Sequence, residues 1–132
     1  MRFVILSFLL LGLFSSCSKS DCDEGFTETK FKVNKEYCLK DNESITIKNV
    51  QDSRCPSDVI CVWEGEVNLS LSLKKESGNV DFDLVFKNDD TAQEFDDQNG
   101  YKFTIRNITP YPVSTVQTDL DDYVIEMKIE KD

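Results

Sequence analysis

The sequence predicts an all-β fold: an antiparallel β-sandwich of about seven strands, immunoglobulin-like and Greek-key in outline, behind an N-terminal export segment. Three observations carry this expectation. Apolar residues recur at every second position through Val67, Leu69, Leu71 and Leu73, and again through Val80, Phe82, Leu84 and Phe86, with Asn68, Ser70, Ser72, Asp81 and Asp83 between them. That is the period of a strand with one dry face. Turn chemistry punctuates the chain at Asp41-Asn42-Glu43, from Lys75 to Asn79 and at Asp119-Leu-Asp-Asp122, as it must where strands reverse. No stretch beyond the export segment has helical spacing, which leaves packed sheets, or a partly closed barrel, as the architecture.

The elements follow in order. Phe31 and Val33 alternate with Lys30, Lys32 and Asn34 as a first strand, and the β-branched run Ser44-Ile-Thr-Ile-Lys-Asn-Val50 is a second. The two clean alternations form an antiparallel hairpin closed around Gly78. Residues 88–100 are acidic and poor in apolar side chains, and read as a long surface loop. Tyr101, Phe103 and Ile105 restart the alternation. Pro110 and Pro112 then remove two backbone donors, so an irregular crossing is expected there. Tyr123, Ile125, Met127 and Ile129 form the last strand.

Met1 to Phe14 holds one positive charge, Arg2, and a twelve-residue apolar run, followed by Ser15, Ser16 and Cys17. This is the layout of a secretory signal peptide, short of the roughly 20 residues of a membrane span. Ser15-Ser16-Cys17 resembles the lipobox of bacterial lipoproteins, with Phe14 where that pattern has an aliphatic residue. The resemblance implies cleavage before Cys17 and acylation of its thiol with palmitate-type chains, an anchor contributing about 0.8 kcal/mol per buried CH₂. In that family, the absence of aspartate at Ser18 implies the outer membrane. The acidic run from Ser18 to Glu24 resembles the export signals of surface lipoproteins, so the domain is expected to face periplasm or exterior. The expected organisation is a signal peptide over 1–16, an acidic tether over 17–25 and a β-sandwich domain over 26–132.

Charge narrows the partners. Lys+Arg 15 against Asp+Glu 25 gives −10, and loss of Arg2 with the signal leaves 14 against 25, or −11. Such a surface repels phosphate backbones and anionic headgroups, so no nucleic-acid partner is expected. With Cys17 acylated, Cys22, Cys38, Cys55 and Cys61 remain in an oxidising compartment, where an even number reads as disulfides with three possible connectivities. Pro56 turns the chain between Cys55 and Cys61, so these are paired, which leaves Cys22 with Cys38.

The chain contains no histidine, which removes the commonest general base and the commonest zinc ligand, and with them the usual Ser-His and Cys-His nucleophiles. No catalytic residue, metal or cofactor is expected. Glu64 and Glu66 flank Gly65 and would share one face of a regular strand, a carboxylate pair of the kind glycoside hydrolases use; solvated edge residues are the plainer reading. Asp89, Asp90, Glu94, Asp96, Asp97 and Asn99 supply oxygen ligands of the type calcium takes, but Phe95 and Arg106 occupy the first and last ligand positions of an EF-hand.

Asp52-Ser-Arg-Cys-Pro-Ser-Asp-Val-Ile-Cys-Val-Trp-Glu-Gly-Glu66 is similar to a D-S-R-C-P-x-D-V-x-C-V-W-x-G-E/D pattern found in bacterial secreted and lipoprotein domains of uncharacterised activity. Gly100 to Ile105, Pro110-Tyr-Pro112 and Asp122 to Ile125 extend the similarity over most of the domain. The resemblance implies a fold and no activity. Physically, a disulfide bracketing a Pro turn fixes this loop, Trp63 is expected to bury its ring against the bridge, and Gly65 permits a bulge or close approach. Arg54 is expected to pair with Asp52 or Asp58. The loop's rim, comprising Arg54, Asp58, Glu64 and Glu66, is the candidate partner-binding surface. The sequence therefore points to a non-enzymatic, lipid-anchored envelope protein, a binding or structural accessory module. A loop-based inhibitor or adhesin is the second class and a carboxylate-dependent hydrolase the third; an exposed apolar loop tip would favour the second.

Overall fold

The alternating segments build two antiparallel sheets, because each carries one apolar face that only a facing layer can cover. In the computed structural model of the chain, residues 29–87, 91–96 and 98–132 are described; the expected signal peptide and tether, with Cys17 and Cys22, lie outside the described residues. Eight strands are present among these residues: β1 (Lys30–Lys32), β2 (Glu36–Cys38), β3 (Ser44–Asp52), β4 (Glu66–Lys75), β5 (Gly78–Lys87), β6 (Gln93–Phe95), β7 (Tyr101–Thr109) and β8 (Val124–Lys131). One sheet has the order β1-β8-β7-β6 and the other β2-β3-β4-β5.

The all-β sandwich is as the sequence indicates. Within that class, the connectivity is simpler than the expected Greek key. Going round the sandwich visits the strands in chain order, since each leads to its neighbour and β1 lies against β8. The sheets exchange at two places. After β1 the chain turns at Asn34, held at φ +59°, and crosses to the second sheet, where Val33 bridges Ile47 and the Asn34 N–H donates to the Ile47 carbonyl at 2.8 Å. At the opposite edge the Gln93 side chain bonds both backbone groups of Lys87, joining β5 to β6. The expected long loop over 88–100 therefore contains a short strand, β6, registered against Phe103 to Ile105.

The core lies between the sheets and is formed by the alternating residues, among them Phe31, Ile45, Ile47, Val67, Leu69, Leu71, Phe103, Ile105, Ile125 and Met127. Two register shifts interrupt the alternation, one in β3 between Ile47 and Asn49 and one in β7 between Ile105 and Asn107. Each moves the next inward residue, Val50 and Ile108 respectively, one place along. Such bulges bend a strand and increase its twist. The β3 bulge falls at mid-strand and the β7 bulge just past mid-strand, and both strands lead to the pole carrying the β3–β4 and β7–β8 connections. The other pole carries the tight Glu76-Ser77 turn between β4 and β5 and the 3₁₀ turn Lys40–Asn42 between β2 and β3.

Candidate functional site

The β3–β4 connection rises from this pole, and its base is a buried ion pair. Asp52, the last residue of β3, accepts from the Arg54 backbone N–H at 3.1 Å and Nε at 2.9 Å on one oxygen, and from Arg54 Nη2 at 2.6 Å on the other. Tyr123, directly before β8, donates its hydroxyl to the same carboxylate at 3.2 Å. Burial first, and then the neighbouring Asp52 charge, pushes the Tyr123 pKa above its ordinary value, so the hydroxyl stays a donor. Arg54 also donates to the backbone carbonyls of Ile108 at 2.8 Å and Pro110 at 3.0 Å. Its guanidinium lies 4.7 Å from the centre of the Tyr111 ring, a stacking that suits a planar cation.

This placement corrects the sequence reading of Arg54. The residue does pair with Asp52, as its spacing suggested, but it is only 4% exposed and is no part of a rim. Of the two carbonyls that draw it inward, that of Ile108 belongs to β7 and that of Pro110 to the segment directly after it. Asp58 pairs instead with Ser114 of the β7–β8 loop, whose N–H donates to it at 2.8 Å and whose hydroxyl donates to its other oxygen. Those bonds, the hydroxyl's first, hold the Asp58 carboxyl below the usual aspartate range. A backbone bond from Ser57 N to the Pro112 carbonyl, 3.0 Å, reinforces the same junction.

The second leg of the loop is fixed by close approach. Ser53 N and Oγ both donate to the Glu66 carbonyl, and Cys55 N donates to the Glu64 carbonyl at 3.2 Å. Gly65, at φ +77°, lies so near the first leg that a β-carbon there would stand 2.1 Å from the Ser53 carbonyl oxygen; only glycine fits. Cys55 and Cys61 form the expected disulfide, with Cα atoms 5.9 Å apart. Cys38, at the end of β2, is disulfide-bonded as well; Cys22, expected as its partner, lies outside the described residues.

Above this base the loop presents apolar side chains to water. Ile60 and Val62 have 103% and 96% relative exposure, Trp63 has 62%, and Val59 is also exposed. Trp63, expected to bury its ring against the bridge, is therefore exposed instead. Both cysteines are themselves only partly buried and stand outside the core, so the bridge offers no interior wall. Ile60 and Val62 point outward on either side of the bonded Cys61. Among the described residues, no hydrogen bond engages the backbone of residues 60–63. The core strand begins beyond this loop, at Glu66, beside the expected start of the alternation at Val67.

Glu64 and Glu66 are both exposed, but Gly65 at positive φ separates them, and only Glu66 belongs to a strand. They are therefore not neighbours on one regular strand, the arrangement the carboxylate-pair reading required. Of the candidate calcium ligands, Asp89, Asp90 and Asp97 lie outside the described residues, while Glu94 and Asp96 both engage Lys102, at 2.9 and 3.4 Å. Compared with known proteins, the chain matches no family model, no curated protein and no solved structure.

Proposed function

We propose that this protein is a lipid-anchored, non-enzymatic module of the cell envelope that binds a partner through the apex of its disulfide-braced loop. The observation that carries the reading is the outward display of Ile60, Val62 and Trp63 on a base made of buried hydrogen bonds. Each such side chain forgoes roughly 1.5–3 kcal/mol that burial would contribute, and a partner that covers them recovers it. A loop already fixed at both legs loses little further freedom on binding, and buried aromatic anchors commonly dominate an interface.

β1 runs toward the loop pole, with Lys30 opposite Glu126 and Lys32 opposite Val124, so the described chain enters β1 heading toward the loop rather than away from it.

The test uses a photo-reactive residue at position 60 of the full chain in intact envelopes, compared with the same probe at Ser77 in the far-pole turn. An adduct formed from position 60 and not from position 77 is expected; equal labelling from both sites would sink the binding reading. Cys17→Ala should release the protein from membranes, and a variant that stayed bound would rule out the lipid anchor.

A further inference from the structure

We infer that the free edge of β5 is a second binding surface, which takes an extended peptide segment of alternating basic and apolar residues as a further strand of its sheet. The surface is separate from the loop apex and is argued from other observations. Each sheet ends in two edge strands. β1, β2 and β6 have three residues each, whereas β5 has ten, from Gly78 to Lys87. Its pairing with β4 is unbroken by any bulge and its sequence holds no proline, so the devices of shortness, kinking and missing donors that commonly protect an edge are absent from it. The direction of its backbone groups follows from its last residue. Lys87 N–H donates to the Gln93 side chain and the Lys87 carbonyl accepts from it, while Glu66, opposite Lys87, turns its own backbone groups to Ser53. Lys87 thus faces away from β4. Because that side alternates from residue to residue, the N–H and C=O groups of Asn79, Asp81, Asp83 and Val85 face away as well. Among the described residues nothing pairs with them, since Gln93 closes only the Lys87 end.

The side chains along the edge select the occupant. Asp81 and Asp83 stand exposed on the outer face, and among the described residues no cation pairs with either. On the inner face Val80 and Phe82 are only partly covered, Phe82 by the Phe103 ring at 5.6 Å. A strand laid along this edge sets the residues opposite Asp81 and Asp83 on the outer face, where lysine or arginine meets the carboxylates. It sets those opposite Val80 and Phe82 on the inner face, where apolar side chains extend the core. Backbone pairing then supplies affinity and the alternate side chains supply selectivity. A second copy of the chain does not fit. Antiparallel self-pairing over all the open residues is centred on Phe82 and places Asp81 opposite Asp83 twice, and like charges directly opposite are destabilising. The net charge of −10 opposes self-association further.

The probe is a capped heptapeptide alternating lysine and valine, titrated onto the full chain in detergent while amide hydrogen exchange is read residue by residue. It should slow exchange at Asp81, Asp83 and Val85 and leave residues 60–63 unchanged. Asp81→Asn combined with Asp83→Asn should weaken binding about tenfold. Both residues are exposed, so the variant keeps its fold, which an unchanged urea midpoint verifies. The same peptide N-methylated at its edge-facing amides should not bind. Unchanged exchange at the edge, equal binding by the double variant, or equal binding of a glutamate–valine peptide would each overturn the inference. Equal binding of the N-methylated peptide would reduce it to charge attraction without strand pairing. If the native chain alone sediments as a dimer in which the same amides are protected, a second copy replaces the basic peptide. None of these results alters the adduct expected from position 60, so the edge and the apex stand or fall separately.

Discussion

At the far pole, Lys131 bonds Asp41, stands 3.8 Å from Glu43 and lies over the Tyr101 ring, while Tyr101 donates its hydroxyl to Glu43. These charges meet at the surface, where water competes for every bond. At the loop pole the ion pair is inside, with Arg54 and Asp52 side chains at 1% and 5% exposure, and the apolar residues are outside. The poles thus invert the usual distribution relative to each other. A surface pair can be lost without leaving a bare charge, whereas the buried pair fixes three chain segments and forces the loop above it into one shape. The far pole closes the sandwich; the loop pole presents something from it.

The sharpest way to break that contrast is to remove the buried cation. Arg54→Ala should cost about 3–5 kcal/mol, since it strands the Asp52 carboxylate in the interior, and urea denaturation will measure it. Lys131→Ala, the matching change at the far pole, should leave the midpoint unmoved within error. Combining Arg54→Met with Asp52→Asn should recover part of the loss, because no lone charge is left behind.

A smaller effect is expected from Cys55→Ser with Cys61→Ser. The ring is short, so in the loop-entropy model the bridge contributes about 2 kcal/mol. Stability should fall by that order while the Arg54 anchor persists, and proteolysis should then find the opened loop between residues 55 and 63. If the loop stays resistant, the base alone defines its shape.

The smallest effect is acidic. Asp58 has a lowered pKa in the folded state, so its contribution is complete above the ordinary aspartate value and is lost as pH falls through the lowered one. Asp58→Asn should remove this pH response of the loop, followed through Trp63 fluorescence, while leaving the neutral-pH fold intact. A loop equally sensitive to acid in both proteins would show that Ser114 does not hold it.

The long strands were legible because their pattern is local: Val67 to Leu73 and Val80 to Phe86 show the two-residue period without reference to anything else. β2 and β6 were not, because three residues such as Glu36-Tyr37-Cys38 cannot display a period and are strands only by virtue of their neighbours. The bulges left a readable trace, the three-residue steps from Ile47 to Val50 and from Ile105 to Ile108. The site was half legible. Its disulfide followed from spacing and compartment. The burial of Arg54 depends on carbonyls 54 and 56 positions away, and no local feature announces them. Trp63 was misjudged for a related reason: size argues for burial, but the core was already filled by the alternation beginning at Val67.

The strand order has a mechanical consequence. Because every neighbour within a sheet except β1 and β8 is also a neighbour along the chain, assembly can advance hairpin by hairpin at little loop-closure cost. The seam between β1 and β8 closes last, on only three residue pairs. Cys38, at the end of β2, is disulfide-bonded; with Cys22 as its expected partner, a pull on the N-terminus would pass through that bridge to β2 and spare the short β1–β8 seam.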